Sequence, residues 1–370
     1  MAGIPFIDLK TQYEALKPSI QARINKVLDH GLFVGGPEVT ELEKELSKWV
    51  GCKHTLACSS GTDALQVALM AYGIGPGDEV ITTAFSFIAT AEVILLVGAK
   101  PIYVDIDPVT YNIDIKQIEK RITSKTKAVM PVSLYGQMPD MDELMALANK
   151  HNLKVIEDAA QSFGATYKGK QSGNIAHITG TSFFPAKPLG AYGDGGAIFT
   201  NDDKLALEMR QILSHGQETR YHHVRLGLNG RLDTLQCAIL LSKLERYGWE
   251  LKKRQEIAER YTKAFKSIAV KGFQIPEVLP ERTSVWAQYT LAVPDRSTFQ
   301  KRLTEMGVPT SVHYPCIMPD QPAYKHTCGP ETDLSKSRWA ADHVISLPMY
   351  PDMPSSIQDE IIQKVTKALS

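Results

Sequence analysis

No run of this sequence is apolar enough, over enough residues, to cross a bilayer. The most apolar stretch, Ile88 to Gly98, is short and is interrupted by Glu92. The start, Met1-Ala2-Gly3-Ile4-Pro5-Phe6-Ile7-Asp8, lacks a basic region ahead of a long apolar core, so no secretion signal is expected. Net charge is missing too, since 41 Lys and Arg balance 41 Asp and Glu. Without a basic field, neither nucleic acid nor a membrane is an expected partner, and any anion has to be held by local groups. Cysteine is scarce: Cys52, Cys58, Cys237, Cys316 and Cys328 are odd in number, scattered, and form no C-x-x-C pair. That excludes a disulfide framework and fits a reducing cytoplasm. Neither the adjacent pair His222-His223 nor His326 has companions at metal-ligand spacing, so no metal is expected. There is no Walker loop. Gly73-Ile74-Gly75-Pro76-Gly77 follows a helical stretch and precedes a strand, the reverse of the dinucleotide-binding order.

What is present is an ordinary globular composition, 43% hydrophobic and 22% charged, which rules out a disordered chain. A chain of 370 residues exceeds one ordinary core. A large unit over 1–245 and a smaller α+β unit over 246–370 are expected. Helical spacing runs over Ser19 to Leu28 and Glu38 to Val50. Short apolar runs then alternate with helical ones: strands at His54–Cys58, Glu79–Thr82, Pro101–Val104, Ala128–Ser133 and Lys154–Glu157, with helices at Thr62–Tyr72, Ile88–Val97, Ile115–Arg121 and Asp142–Lys150. This alternation predicts an α/β fold with a mostly parallel sheet flanked by helices. Arg231 opens a long helical pattern to Phe265 that leads into the smaller unit, where Val285–Val293 reads as a strand and Thr298–Met306 as a helix.

In such sheets ligands bind outside the carboxyl ends of the strands. The run Val155-Ile156-Glu157-Asp158 delivers an acid to that edge. Twenty-nine positions later, Phe183-Phe184-Pro185-Ala186-Lys187-Pro188-Leu189-Gly190 places a lysine in an apolar segment bounded by Pro and Gly, with no charge before Asp194. Burial there lowers the lysine pKa and favours the nucleophilic amine. A lysine and a carboxylate on one planar ligand fit pyridoxal phosphate: Lys187 holds the aldehyde as a Schiff base, and Asp158 keeps the pyridine nitrogen protonated. Taken alone, Asp158 also reads as a helix N-cap. Ser60-Gly61-Thr62 passes from strand to helix, where free N–H groups cradle a phosphate, although many such turns bind nothing. Phe87 reads either as a ring lying on the cofactor or as core packing.

With these residues assembled, the chain resembles the DegT/DnrJ/EryC1/StrS sugar-nucleotide aminotransferases, which have the fold type I architecture of pyridoxal phosphate enzymes. The likeness runs from Phe6-Ile7-Asp8-Leu9 through Gly35-Gly36-Pro37-Glu38-Val39, Gly61-Thr62-Asp63-Ala64-Leu65, Gly75-Pro76-Gly77-Asp78-Glu79-Val80, Glu157-Asp158-Ala159-Ala160-Gln161, Gly193-Asp194-Gly195-Gly196 and Asn229-Gly230-Arg231-Leu232-Asp233 to His313-Tyr314-Pro315. The resemblance implies that Lys187 and Asp158 are catalytic, that Gln161 lies near the ring hydroxyl, and that Phe87 stacks on the ring. It further implies that Gly61, Thr62 and Ser182 bind the phosphate, with Asn229 arriving from the second subunit of a homodimer with shared sites. Departures are small: Ser60 stands where many relatives have Asn, and Pro188 where many have Asn.

The lysine segment, with Ser133-Leu134-Tyr135-Gly136-Gln137 and Tyr221-His222-His223, looks most like one subgroup. Its members aminate carbon three of UDP-2-acetamido-2-deoxy-3-oxo-glucuronic acid, for surface polysaccharides such as the lipopolysaccharide O-antigen, with glutamate as donor and 2-oxoglutarate as by-product. Related enzymes act on 3-keto or 4-keto UDP- or dTDP-hexoses. Arg231 then reads as a clamp on the sugar carboxylate, or as a structural arginine paired with Asp233, and His313 and Tyr314 hold other parts of the sugar. A sugar dehydratase of this fold resembles the chain with His at the Lys187 position. The intact Lys187, Asp158 and Ser182 set shows no sign of decay toward a non-catalytic regulator.

Overall fold

The computed structural model describes residues 3–329 and 332–370. Its central sheet has seven strands: β1 (His54–Cys58), β2 (Glu79–Thr83), β3 (Lys100–Val104), β4 (Thr126–Met130), β5 (Lys154–Asp158), β6 (Ile178–Ser182) and β7 (Gly196–Thr200). The order across the sheet is β1-β7-β6-β5-β4-β2-β3. Only β7 opposes the rest, pairing antiparallel with both β1 and β6. The mostly parallel sheet read from the sequence is therefore present.

Helices α1 (Leu9–His30), α2 (Pro37–Val50), α3 (Gly61–Ala71), α4 (Ala89–Leu96), α5 (Met141–Lys150), α6 (Asp203–Ile212) and α7 (Thr234–Phe265) accompany it. Leu56, Ile156, Ile178 and Ile198 pack with α3, α4 and α6. Ala57, Ala197 and Phe199 pack with Leu42 and Leu46 of α2 and Leu240 of α7. Alternate strand residues thus bury on opposite faces, so the strands read as continuous apolar runs.

Several expected elements differ. Ile115–Arg121 forms two single 3-10 turns, Ile115–Gln117 and Glu119–Arg121, instead of one helix. Only Ile115 and Ile118 of that stretch are buried, and so short a segment with one apolar anchor point does not offset helix nucleation. α1 begins nine residues before Pro18 and runs through it, because Asp8 caps its first turn by accepting from the Thr11 amide at 2.9 Å. α7 starts at Thr234, three residues past Arg231, which instead forms a bridge with Cys58. Asp158 caps no helix; the residues after it turn.

A second core gathers Ile257, Tyr261 and Phe265 of α7 with Leu291, Phe299, Leu303, Ile345, Ile361 and Val365. It is built on the antiparallel pair β8 (Tyr289–Ala292) and β9 (Val344–Leu347) with α8 (Arg296–Glu305) and α10 (Ser355–Leu369), while α9 (Ser335–His343) leads into β9. The strand expected over Val285–Val293 is shorter than its apolar pattern. The Val285 and Ala287 amides donate instead to Gly136 and Tyr135, at 3.0 and 3.1 Å. On the strength of this separate core we propose the division into 1–245 and 246–370, with α7 crossing it.

The end of β5 is fixed by a buried carboxyl group. Glu157 has no exposed surface, and it accepts from Ser133 Oγ and Ser172 Oγ at 2.8 Å, Thr179 Oγ1 at 3.2 Å and the Gly173 amide at 3.3 Å. Burial pushes its carboxyl pKa up, and the four donors oppose that shift. Glu157→Ala should cost about 3–5 kcal/mol of unfolding free energy in urea titrations, because it orphans four buried donors. Glu157→Gln, which keeps an acceptor, should cost less than half as much. A Glu157→Ala loss below about 1 kcal/mol would remove the carboxylate from its anchoring role.

Candidate active site

β5 and β6 run in parallel, with Asp158 in register with Gly180. Both polar groups of the Asp158 backbone are held by the segment that follows β4: its N–H donates to Pro131 and its carbonyl accepts from Ser133, at 2.9 and 3.0 Å. The side chain is therefore delivered at a fixed point on the sheet edge. Its Oδ2 accepts from Thr90 Oγ1 at 2.8 Å and its Oδ1 from the Ala160 amide at 3.1 Å. Burial pushes the Asp158 carboxyl pKa up, opposed by these donors and by the charge of Lys187. Lys187 shows the mirror image, its amine pushed down by burial and held up by Asp158. The two groups face each other across one desolvated space.

Lys187 sits in a turn whose N–H donates to Phe184 at 2.8 Å, and the segment returns through Ala191 to Phe183 at 2.7 Å. Around it lies a cavity of about 430 Å³ lined by Gly61, Thr62, Phe87, Asp158, Gln161, Ser182, Lys187, His313 and Tyr314 among others. Those nine residues came together from separate sequence motifs. Phe87 is 53% exposed at the cavity, so core packing does not explain it. Its ring lies 6.0 Å from that of Tyr314.

Asn229 and Arg231 are not brought to this cavity within one chain. Asn229 is exposed and bridges Ser214; Arg231 is half-buried, and among the described residues no ion pair joins it to Asp233. Two residues that bear on the site went unread: Thr90, which donates to Asp158 from behind the cavity wall, and Gln288, which lines it. Thr90 lies inside the apolar run taken as a helix, where a lone hydroxyl is the only signal. Gln288 comes from the side of the second core and has a buried Oε1 with no partner among the described residues. No spacing or motif connects it to β5.

The opposite end of the cavity is the start of α3. Ser60 Oγ caps the Asp63 amide at 3.0 Å, and the amides of Gly61 and Thr62, which have no intrahelical partner, remain for an anion. Ser182 Oγ accepts from the Phe184 amide at 3.2 Å, which leaves its own proton to donate. A Cβ on Gly61 would fall 2.7 Å from that of Ser182, and one on Gly196 would fall 2.5 Å from the Ser60 carbonyl carbon. The cradle is thus closed against side chains. A phosphate cradle, a buried acid and a low-pKa amine around one slot fit pyridoxal phosphate.

The sequence matches the DegT/DnrJ/EryC1/StrS aminotransferase family over residues 14–366. This chain belongs to that family. It is 53% identical to the UDP-2-acetamido-2-deoxy-3-oxo-D-glucuronate aminotransferase of Pseudomonas aeruginosa, over 94% of this chain and 95% of that protein. It is 44% identical to a protein of Geobacillus stearothermophilus named as a pleiotropic regulatory protein, over 99% and 98% of the two chains. Among solved structures, NtdA of Bacillus subtilis with bound cofactor PMP superposes with a TM-score of 0.92 at 35% identity, covering 100% of this chain and 86% of that one. The family's fold type I architecture accounts for the sheet order and the site at its carboxyl edge.

For this member of the family, Gly61→Ala should leave a folded protein but weaken pyridoxal phosphate retention about tenfold or more, as overpacking of 1–3 kcal/mol (roughly) implies. Equilibrium dialysis checks it, and unchanged retention would move the phosphate site away from Gly61 and Ser182.

Proposed function

We propose that the chain transfers an amino group from glutamate to carbon three of UDP-2-acetamido-2-deoxy-3-oxo-glucuronic acid, in the cytoplasm, for surface polysaccharide such as the lipopolysaccharide O-antigen. The observation that carries the chemistry is the desolvated Lys187 amine facing the Asp158 carboxylate. The sugar is argued from the 53% identity to the Pseudomonas enzyme. The Geobacillus relative raises a regulatory reading, and the complete cavity favours the enzyme. Among the described residues no helix is long and apolar enough to cross a membrane.

Pyridoxal phosphate, when bound, supplies an electron sink for the charge left on carbon when a proton departs. Asp158 would keep the proton on the ring nitrogen, with Thr90 Oγ1 aiming that carboxylate. Gly61, Thr62 and Ser182 would hold the phosphate, with Gln161 toward the ring hydroxyl and Phe87 toward the ring face. Lys187 would hold the cofactor's aldehyde, and its amine is placed to accept and return a proton as general base and acid. Burial lowers the pKa of the Lys187 amine, which favours the uncharged form that can attack a carbonyl or accept a proton.

His313 and Tyr314 hold the sugar. Burial and the Lys187 charge push the His313 imidazole down to about 4, so it meets the substrate uncharged at neutral pH. Its Nδ1 lies 2.9 Å from Ser346 Oγ. Asn229 and Arg231 act, in this reading, in the neighbouring site of a homodimer. The exposed positions of Tyr221 and Leu226, 79% and 86% accessible on the same loop, support a partner there.

The test is the uronate carboxylate. Arg231 suits it because a planar guanidinium binds a carboxylate through two hydrogen bonds. Arg231→Ala should raise KM for the keto-uronate by about thirtyfold or more, as loss of a desolvated charge pair costs roughly 2–5 kcal/mol. The glutamate half-reaction should be spared. Equal activity of the wild type on the uncharged 3-keto hexose and on the uronate, read by mass spectrometry, contradicts the clamp.

A further inference from the structure

Tyr135 belongs to a sequence motif, Ser133 to Gln137, that the chemistry above leaves without a task. It is 8% exposed and sits at φ +57°, a left-handed conformation unfavourable for a residue with a side chain. Such a conformation persists where the surroundings over-determine it. Here each polar group of the residue is engaged. The Tyr135 N–H donates to Gln161 Oε1 at 2.8 Å, its carbonyl accepts from the Ala287 amide at 3.1 Å, and its hydroxyl donates to the His313 carbonyl.

These bonds form a ring. Gln161 Nε2 donates to the Tyr314 hydroxyl at 3.1 Å, and His313 and Tyr314 are consecutive. The path from Gln161 through Tyr135 to His313 therefore closes back on Gln161 through Tyr314. Farther out, the same arm is tied to β9, with Ser311 and Ser346 exchanging backbone bonds at 3.2 and 2.7 Å. The arm that enters the cavity is thus pinned to its own unit by Ser346 and to the β4–β5 side by Tyr135 and Gln161. Tyr135 lines no part of the cavity wall formed by Gln161, His313 and Tyr314.

We propose that Tyr135 is a positioning residue that fixes the His313-Tyr314 arm over the cavity and thereby sets affinity for the sugar nucleotide. The inference rests on the reading that His313 and Tyr314 hold the sugar. A buried tyrosine hydroxyl takes a partner for stability alone, and that bland role predicts lower stability with no selective effect on either substrate. The positioning role predicts a split. The amide bond to Gln161 and the bond from Ala287 survive in Tyr135→Phe, so the cofactor end stays in place while the arm is released.

The experiment uses the Tyr135→Phe holoenzyme. KM for the keto-uronate nucleotide should rise about fivefold to tenfold, the usual range for one hydrogen bond. The glutamate half-reaction, followed by stopped-flow absorbance without sugar, and the dissociation constant of pyridoxal phosphate should each stay within about twofold. Amide hydrogen exchange should quicken over 311–316 and not over 158–161. Ser346→Ala, which removes the 2.9 Å contact of Ser346 Oγ with His313 Nδ1 and leaves the backbone bonds to Ser311 in place, should give the same split and stands in should Tyr135→Phe fold poorly. Unchanged KM and exchange in both variants, or equal slowing of both half-reactions, overturns the proposal. Tyr314→Phe separates the two readings. If it raises the sugar KM while Tyr135→Phe does not, positioning fails; if neither does, the sugar site itself lies elsewhere.

Discussion

The Asp158 carboxylate and the Lys187 amine share a space from which water is largely removed, and much of the fold serves to keep them there. Each pushes the other's pKa in the direction opposite to burial. Neither would hold its place alone. Asp158 is fixed because β5 lies between β4 and β6, and its backbone bonds to Pro131 and Ser133 leave little freedom. Glu157, one residue earlier and on the other face, ties the same strand end to three hydroxyls and an amide. Two successive acids thus do opposite jobs, one anchored and silent, the other aimed at the ligand.

Much of this was legible in the sequence because it depends on local order. An apolar strand ending in an acid, a small-residue turn opening a helix, and a lysine between prolines each carry their meaning within a few residues. Gly61, Thr62, Asp158, Gln161, Ser182 and Lys187 were read in that way or by resemblance, and the structure brings them to one cavity. Thr90 and Gln288 were not read, and Tyr135 was read only as part of a subgroup motif, since Thr90 acts on Asp158 from 68 positions away, Gln288 reaches the cavity from the second core, and the Tyr135 hydroxyl meets the His313 carbonyl 178 positions on. Periodicity also overcalled the helix at Ile115–Arg121, because spacing alone cannot tell a helix from two tight turns that bury the same two isoleucines.

The second unit matters less for chemistry than for what meets it. Its core is separate, yet it sends His313, Tyr314 and Gln288 into the cavity. In the proposed reading the cofactor end is built on the ends of β5 and β6, the start of α3 and the turn that carries Lys187, and the substrate end on the loop of His313 and Tyr314.

Burial lowers the amine pKa of two lysines in this chain, Lys187 beside Asp158 and Lys243 on α7, the latter pushed to about 8 and only 2% exposed. Low pKa alone would make either a candidate to bind the cofactor aldehyde, and only Lys187 lies at the cavity with Asp158. Borohydride reduction of the pyridoxal phosphate-loaded protein, followed by peptide mapping, decides between them. The account predicts a single pyridoxyl label on Lys187 with loss of the visible absorption band. A label on Lys243, or none on Lys187, would contradict it.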